Sequence, residues 1–115
     1  MGMDFGVRRP LRFLAHKLSL DDAQVEKLAV VISELKTERA QADVDNQRAV
    51  ALFTDAVAGE KYERAKAEEG MQKRALADER EAAAVQKGLA ALHALMTADQ
   101  RVQFAQLLRA GLIRV

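Results

Sequence analysis

The sequence predicts an all-α protein of four helices, in which a long antiparallel hooked helical hairpin is flanked by two short helices and the assembly is dimeric. Three observations support this fold class. The 115-residue chain contains 22 alanines, one proline and few aromatic residues, a composition that favours helix over strand. Apolar residues recur at intervals of three and four along two long segments, which is a heptad pattern. Finally, one helix-start motif occurs twice.

The helix-start motif pairs a capping residue with a glutamine three positions later. Its copies are Leu20-Asp21-Asp22-Ala23-Gln24 and Met96-Thr97-Ala98-Asp99-Gln100. The side chain of Asp21 or Thr97 can accept from backbone N–H groups of the first turn, while the glutamine can reach back to the N–H of the capping residue. The sequence therefore predicts helix starts at Asp21 and Thr97. The predicted capping motif comprises Leu20, Asp21, Gln24, Met96, Thr97 and Gln100.

The helices follow from these starts and from the few helix breakers. Residues 1–9 are predicted to be a flexible N-terminal arm, and 10–115 a single helical-hairpin domain. Pro10 suits the first turn of a short helix that continues through residues 11–18. The second helix is predicted to run from Asp21 to about Val57, where Gly59 ends it. The third is predicted to begin the return within residues 60–63, directly after Gly59, and to reach about Leu95, and the fourth ends near Ala110.

The two long helices each carry an apolar seam. We expect the seams to exceed what two short helices can cover, which predicts a homodimer. Arg39 and Asn46 interrupt the first seam, where they could fix the register, face a dimer partner, or mark a kink or groove. The first seam comprises Val25, Leu28, Ile32, Leu35, Ala42, Ala49, Phe53 and Ala56. The second comprises Met71, Ala75, Ala82, Val85, Leu89, Leu92 and Met96.

The charge balance limits the classes of partner. With 18 basic and 17 acidic residues, the chain is not expected to bind nucleic acid. The first 18 residues carry a charge of +3, so the basic N-terminal arm could favour an anionic membrane surface or an acidic partner, or could simply be solvated. Residues 1–10 lack the apolar region of a signal peptide, and cysteine is absent, which excludes disulfides and thiolate metal sites.

Three side chains form a candidate metal site. His16 and His93 each shortly precede a capped helix start, and Met96 lies three residues after His93. Two imidazoles and a thioether suit nickel, cobalt, copper or zinc, although the histidines could equally be structural. No cofactor is required, and no set of nucleophile and base can be assembled from the spacing, so an enzyme is not expected.

The repeated motif resembles the L-T-x-x-Q motif of the periplasmic stress-protein superfamily that contains the Spy/CpxP chaperones, the ZraP proteins and the CnrX-type heavy-metal sensors. This resemblance implies a non-enzymatic periplasmic protein that binds unfolded proteins or a membrane sensor protein on a helical dimer surface. One alternative is a metal-responsive sensor or metal-binding resistance protein that uses His16, His93 and Met96, and another is a helical oligomerisation module. The predicted partner surface comprises Arg39, Arg48, Phe53, Tyr62 and Met71.

Overall fold

A computed structural model describes residues 8–113, and all the regular secondary structure in this range is helical. The helices are α1 (Arg8–Leu18), α2 (Asp22–Ala58), α3 (Arg64–Leu95) and α4 (Ala98–Arg109). The predicted all-α class with four helices is confirmed, and the packing of α2 on α3 is consistent with the predicted hairpin. None of these helices is long and apolar enough to cross a membrane.

Two helix boundaries differ from the prediction. Arg8 and Arg9, assigned to the N-terminal arm, belong to α1, and the rest of that arm lies outside the described residues. The helix α3 begins at Arg64 rather than directly after Gly59. In the link before it, the backbone N–H of Glu63 donates to the Ala56 carbonyl at 2.9 Å. This bond holds the link against the end of α2.

The two short helices end in the same backbone motif. At the end of α4, Gly111 adopts a φ of 75°, and the N–H groups of Gly111 and Leu112 donate to the carbonyls of Leu108 and Leu107. These are the two hydrogen bonds of a Schellman motif. Ser19 occupies the same place after α1, with a φ of 52°. A serine in this left-handed conformation costs about 1 kcal/mol relative to glycine.

The described residues fall into two compact units, which we call the terminal unit (Met1–Lys36 with Val85–Val115) and the central unit (Thr37–Ala84). The terminal unit contains the larger side chains of the core. Here α1 packs against α4. The buried core residues are Leu14, Leu18, Leu28, Met96 and Phe104. Residues packed around them include Leu11, Ile32, Leu89, Leu92, Leu107 and Leu108.

The central unit has a seam of small residues instead. On α2, Ala42, Ala49 and Ala56 recur at every seventh position and are almost completely buried. On α3, Gly70 and Ala77 are buried at the same spacing. Small residues at the contact let two helix backbones approach closely, because the distance between helix axes depends on the side chains between them.

The predicted seam is confirmed on α2 but is wrong in the first half of α3. Met71, Ala75 and Ala82 are exposed, whereas Gly70 and Ala77 face α2. The prediction favoured the large apolar residue, Met71. In a seam with so little space, the glycine next to it is the residue that fits.

Gly70 has no room for a side chain. A Cβ atom there would lie 2.6 Å and 2.8 Å from two atoms of the Phe53 ring and 3.1 Å from the Ala49 carbonyl oxygen. The guanidinium carbon of Arg74 lies 5.2 Å from the centroid of the same ring. The ring of Phe53 is therefore held between the backbone at Gly70 and the cation of Arg74.

A pair of glycine substitutions tests this packing. Replacing a glycine inside a helix with alanine normally stabilises it by about 1 kcal/mol. We expect Gly88→Ala to follow this rule, because its Cβ would meet only Val31 Cγ1 at 3.7 Å. We expect Gly70→Ala to lower the free energy of unfolding by about 1 to 3 kcal/mol, because the seam would be overpacked. Urea denaturation followed by circular dichroism measures both, and equal stabilisation by the two variants would contradict the close packing at Gly70.

Candidate functional site

The first capping box forms at the start of α2. The backbone N–H of Gln24 donates to Asp21 Oδ1 at 2.8 Å, and the backbone N–H of Asp21 donates to Gln24 Oε1 at 2.9 Å. Both bonds were predicted from the sequence. The box satisfies two donors that would otherwise lack partners at the helix start.

The second capping box forms at the start of α4. The backbone N–H of Gln100 donates to Thr97 Oγ1 at 3.3 Å, and that of Thr97 donates to Gln100 Oε1 at 2.9 Å. Thr97 has the extended backbone of an N-cap residue. Met96, which precedes the box, is buried in the core, and Leu20 before the first box packs against the same core.

The two boxes are joined to each other, which the sequence analysis did not predict. Gln24 Nε2 donates to Gln100 Oε1 at 2.7 Å and to the Leu95 carbonyl at 2.9 Å. Gln100 Nε2 donates to the Leu18 carbonyl at 3.1 Å and lies 3.4 Å from Gln24 Oε1. Each glutamine thus accepts a hydrogen bond from the backbone N–H of its own capping residue. Each also donates to the other glutamine and to a backbone carbonyl near the other capping box. We call this network the glutamine bridge.

The glutamine bridge connects four helix ends. Leu18 and Leu95 are the last residues of α1 and α3, where backbone carbonyls have no partner within the helix. The amide groups of Gln100 and Gln24 satisfy these carbonyls, while their oxygens satisfy the starts of α2 and α4. A signal for this arrangement is present in the sequence. Both copies carry glutamine where a capping box equally accepts glutamate, and only the amide has hydrogens to donate.

The predicted metal-site residues have different environments. The side chains of His16 and His93 are exposed. Met96 is only 6% exposed and packs with Leu14, Leu18, Leu28 and Phe104, so core packing accounts for its apolar side chain. Residues 8–113 contain no group of three or more His, Cys, Asp or Glu residues that could hold a metal ion. Metal binding by the set of His16, His93 and Met96 stays a prediction.

The predicted partner-surface residues all lie in the central unit, but only part of the set is freely presented. Tyr62 and Met71 are exposed, whereas Phe53 is half-buried in the seam. Arg39 Nε lies 3.6 Å from Glu81 Oε2, so this polar interruption of the α2 seam is paired with α3.

A second cross-helix contact involves Arg48 indirectly. Arg48 Nη1 lies 3.8 Å from Asp45 Oδ1. Arg80 Nη1 of α3 lies 3.8 Å from Asp45 Oδ2. The side chain of Arg48 is nevertheless mostly exposed. Asp45 therefore sits between one cation of its own helix and one of α3, and Arg48 retains a surface that a partner could contact.

The sequence analysis missed much of the exposed apolar surface. Val50 and Val57 are seven residues apart on α2 and share a helix face with Phe53 between them. Both valines are exposed although they adjoin the seam. The signal in the sequence was their position beside the alanine seam, which leaves too little space for a valine to turn inward. The exposed large apolar residues of the central unit are Val44, Val50, Val57, Tyr62, Met71 and Leu76.

No protein-family model, curated protein or solved structure significantly matches this chain. The resemblance carried by the two capping motifs therefore remains an expectation.

The glutamine bridge can be broken while its capping boxes are kept. In Gln24→Glu the carboxylate can still accept from the Asp21 N–H, but it cannot donate to Leu95 or Gln100. We expect this variant to lose about 2 to 3 kcal/mol of unfolding free energy, because a carbonyl loses its donor and a carboxylate faces two acceptors. Gln103→Glu, an exposed substitution on α4, is the matched control and should change stability by less than about 0.5 kcal/mol. If Gln24→Glu were equally harmless in urea denaturation, the bridge would contribute nothing beyond the caps.

Proposed function

We propose that this chain is a non-enzymatic stress protein of the periplasmic type that binds unfolded polypeptides on its central unit without ATP. The observation that carries the proposal is the concentration of exposed large apolar side chains there. Six of the nine such residues among those described lie within Thr37–Ala84. Large exposed apolar surface is typical of protein interaction sites.

The packing of the central unit explains why this surface stays exposed. Its seam is filled by alanine, glycine and the ring of Phe53, which leaves little space for further apolar side chains of the same helices. Val50 and Val57 project beside the seam, and Met71 lies next to Gly70 on α3. A two-helix layer of this kind has its apolar residues on the outside, where a client chain could contact them.

Charged residues lie between the exposed apolar side chains, so the apolar contacts offered to a client are spread along the central unit. The central unit has eight basic and eleven acidic residues, and the apolar residues are separated by them. Arg74 covers the Phe53 ring and Arg48 is largely exposed. Scattered apolar contacts among mobile charges favour weak binding of many sequences, since no single pocket selects a side chain.

We also propose that the protein is a homodimer, as the sequence predicts. The structure changes which residues could form the contact between subunits. Ile32 and Leu89, part of the seams expected to need a partner, pack against the core of their own terminal unit. We assign Val50 and Val57 to client binding, so the dimer contact has to use other apolar residues. The resemblance to periplasmic stress proteins supports the compartment.

Replacement of the exposed valines tests client binding. The purified protein, without ATP and with a chelator present, should suppress aggregation of an unrelated denatured protein near an equimolar ratio, measured by light scattering. We expect the double variant Val50→Ser, Val57→Ser to lose most of this activity, because it removes apolar surface that is 52% and 69% exposed. Its fold should persist, since neither side chain is buried.

The terminal unit supplies a matched control. The double variant Val30→Ser, Val102→Ser removes two valines that are 56% and 59% exposed, and it should retain full suppression. If both double variants were equally active, the central unit would not be the binding surface. Failure of the wild-type protein at several-fold excess, with its helicity intact, would contradict the chaperone proposal as a whole.

A further inference from the structure

The terminal unit has a net positive charge, whereas the central unit has a net negative charge. The terminal unit has ten basic and six acidic residues, and the central unit has eight and eleven. The difference is greatest in α1, which contains four basic residues and no acidic one. The packed helix α4 adds Arg101 and Arg109 against a single acidic residue, Asp99. Together α1 and α4 therefore carry a net charge of +5.

The fold of the terminal unit directs the cations of α1 outward. Leu14 and Leu18 are buried in the core, which fixes the rotation of the helix. Arg12 and His16 are exposed on the opposite side, and the cation of Lys17 is exposed about a quarter turn from His16. Arg12 and His16 are one turn apart and so share a face.

Two exposed cations of α1 have no acidic partner among the described residues. Neither Arg12 nor Lys17 forms an ion pair with an acidic residue in the range 8–113. Lys17 Nζ instead lies 6.0 Å from the centroid of the Phe13 ring, at the outer limit of a cation–π contact. Phe13 and Leu11 are half-buried beside the cations. The exposed surface of α1 therefore carries basic side chains, with half-buried apolar side chains beside them.

We propose that this basic face of α1 binds the headgroups of anionic phospholipids at a membrane surface. A lipid surface offers phosphates at every spacing, so it can satisfy cations on the exposed surface of a helix. Attraction between juxtamembrane cations and an anionic leaflet increases with each lysine or arginine. Because the apolar side of α1 is committed to the core, binding is superficial, reversible and mainly electrostatic.

Charge distribution favours lipid over nucleic acid as the anionic partner. Binding along a nucleic acid requires positive charge over an extended surface. Here the basic face is about one short helix long, and the central unit is net negative. A small basic surface suffices for a peripheral contact with a membrane, because several lipid headgroups can contact it weakly at the same time.

Co-sedimentation with lipid vesicles tests the proposal. The full chain should bind vesicles of phosphatidylcholine mixed with phosphatidylglycerol and not vesicles of phosphatidylcholine alone. Each cation near such a surface contributes about fivefold in partitioning, so Arg12→Gln with Lys17→Gln should weaken binding by roughly 25-fold. Binding should also fall steeply as salt is raised, since exposed charges are screened over about 10 Å at 0.1 M.

Lys61→Gln with Arg64→Gln is the control, because it removes the same charge from exposed positions of the central unit. This variant should bind the mixed vesicles almost as the wild type does. Equal weakening by both double variants would overturn the proposal, since net charge alone would then govern binding. No binding to mixed vesicles by the wild type, or binding to polyglutamate without binding to lipid, would also overturn it. Circular dichroism confirms that each variant remains helical.

Discussion

The structure depends on a hydrogen-bonded contact between two glutamine side chains. Gln24 and Gln100 each complete a capping box at one helix start and satisfy the carbonyl end of another helix. Helix ends are where backbone groups lack partners, so a unit in which four ends converge must supply several hydrogen bonds at once. Two amide side chains supply them here. The apolar core of Leu28, Met96 and Phe104 then fills the terminal unit.

A different constraint governs the central unit. The alanine seam and Gly70 allow close approach of α2 and α3, but beyond the ring of Phe53 they leave little space for larger residues. The helices are held together by close backbone packing and by cross-helix ion pairs such as Arg39–Glu81, each worth little at an exposed position. The large apolar side chains are consequently displaced to the outside. The same constraint that builds this unit thus exposes the surface that we propose binds client chains, while the basic face of α1 belongs to the other unit.

Much of this organisation could be predicted from sequence because its signals are local. The capping boxes follow from residue types three positions apart, and the α2 seam follows from its heptad spacing. The two glutamines signal spare donors, but the partners of the glutamine bridge could not be predicted, because they are distant along the chain and depend on where the helices meet. The prediction of the α3 seam was wrong for a related reason. The space beside Phe53 decides whether Gly70 or Met71 faces α2. The exposure of Val50 and Val57 depends on that same packing.

A double-mutant cycle on Gln24→Ala and Gln100→Ala tests the central claim most directly. Each single variant loses its own capping box, but only their interaction reports the bond between the two side chains. Unfolding free energies of the wild type, both single variants and the double variant, measured by urea denaturation, should give a coupling of at least about 1 kcal/mol. Additive effects within about 0.3 kcal/mol would show that the two caps act independently and would contradict the account.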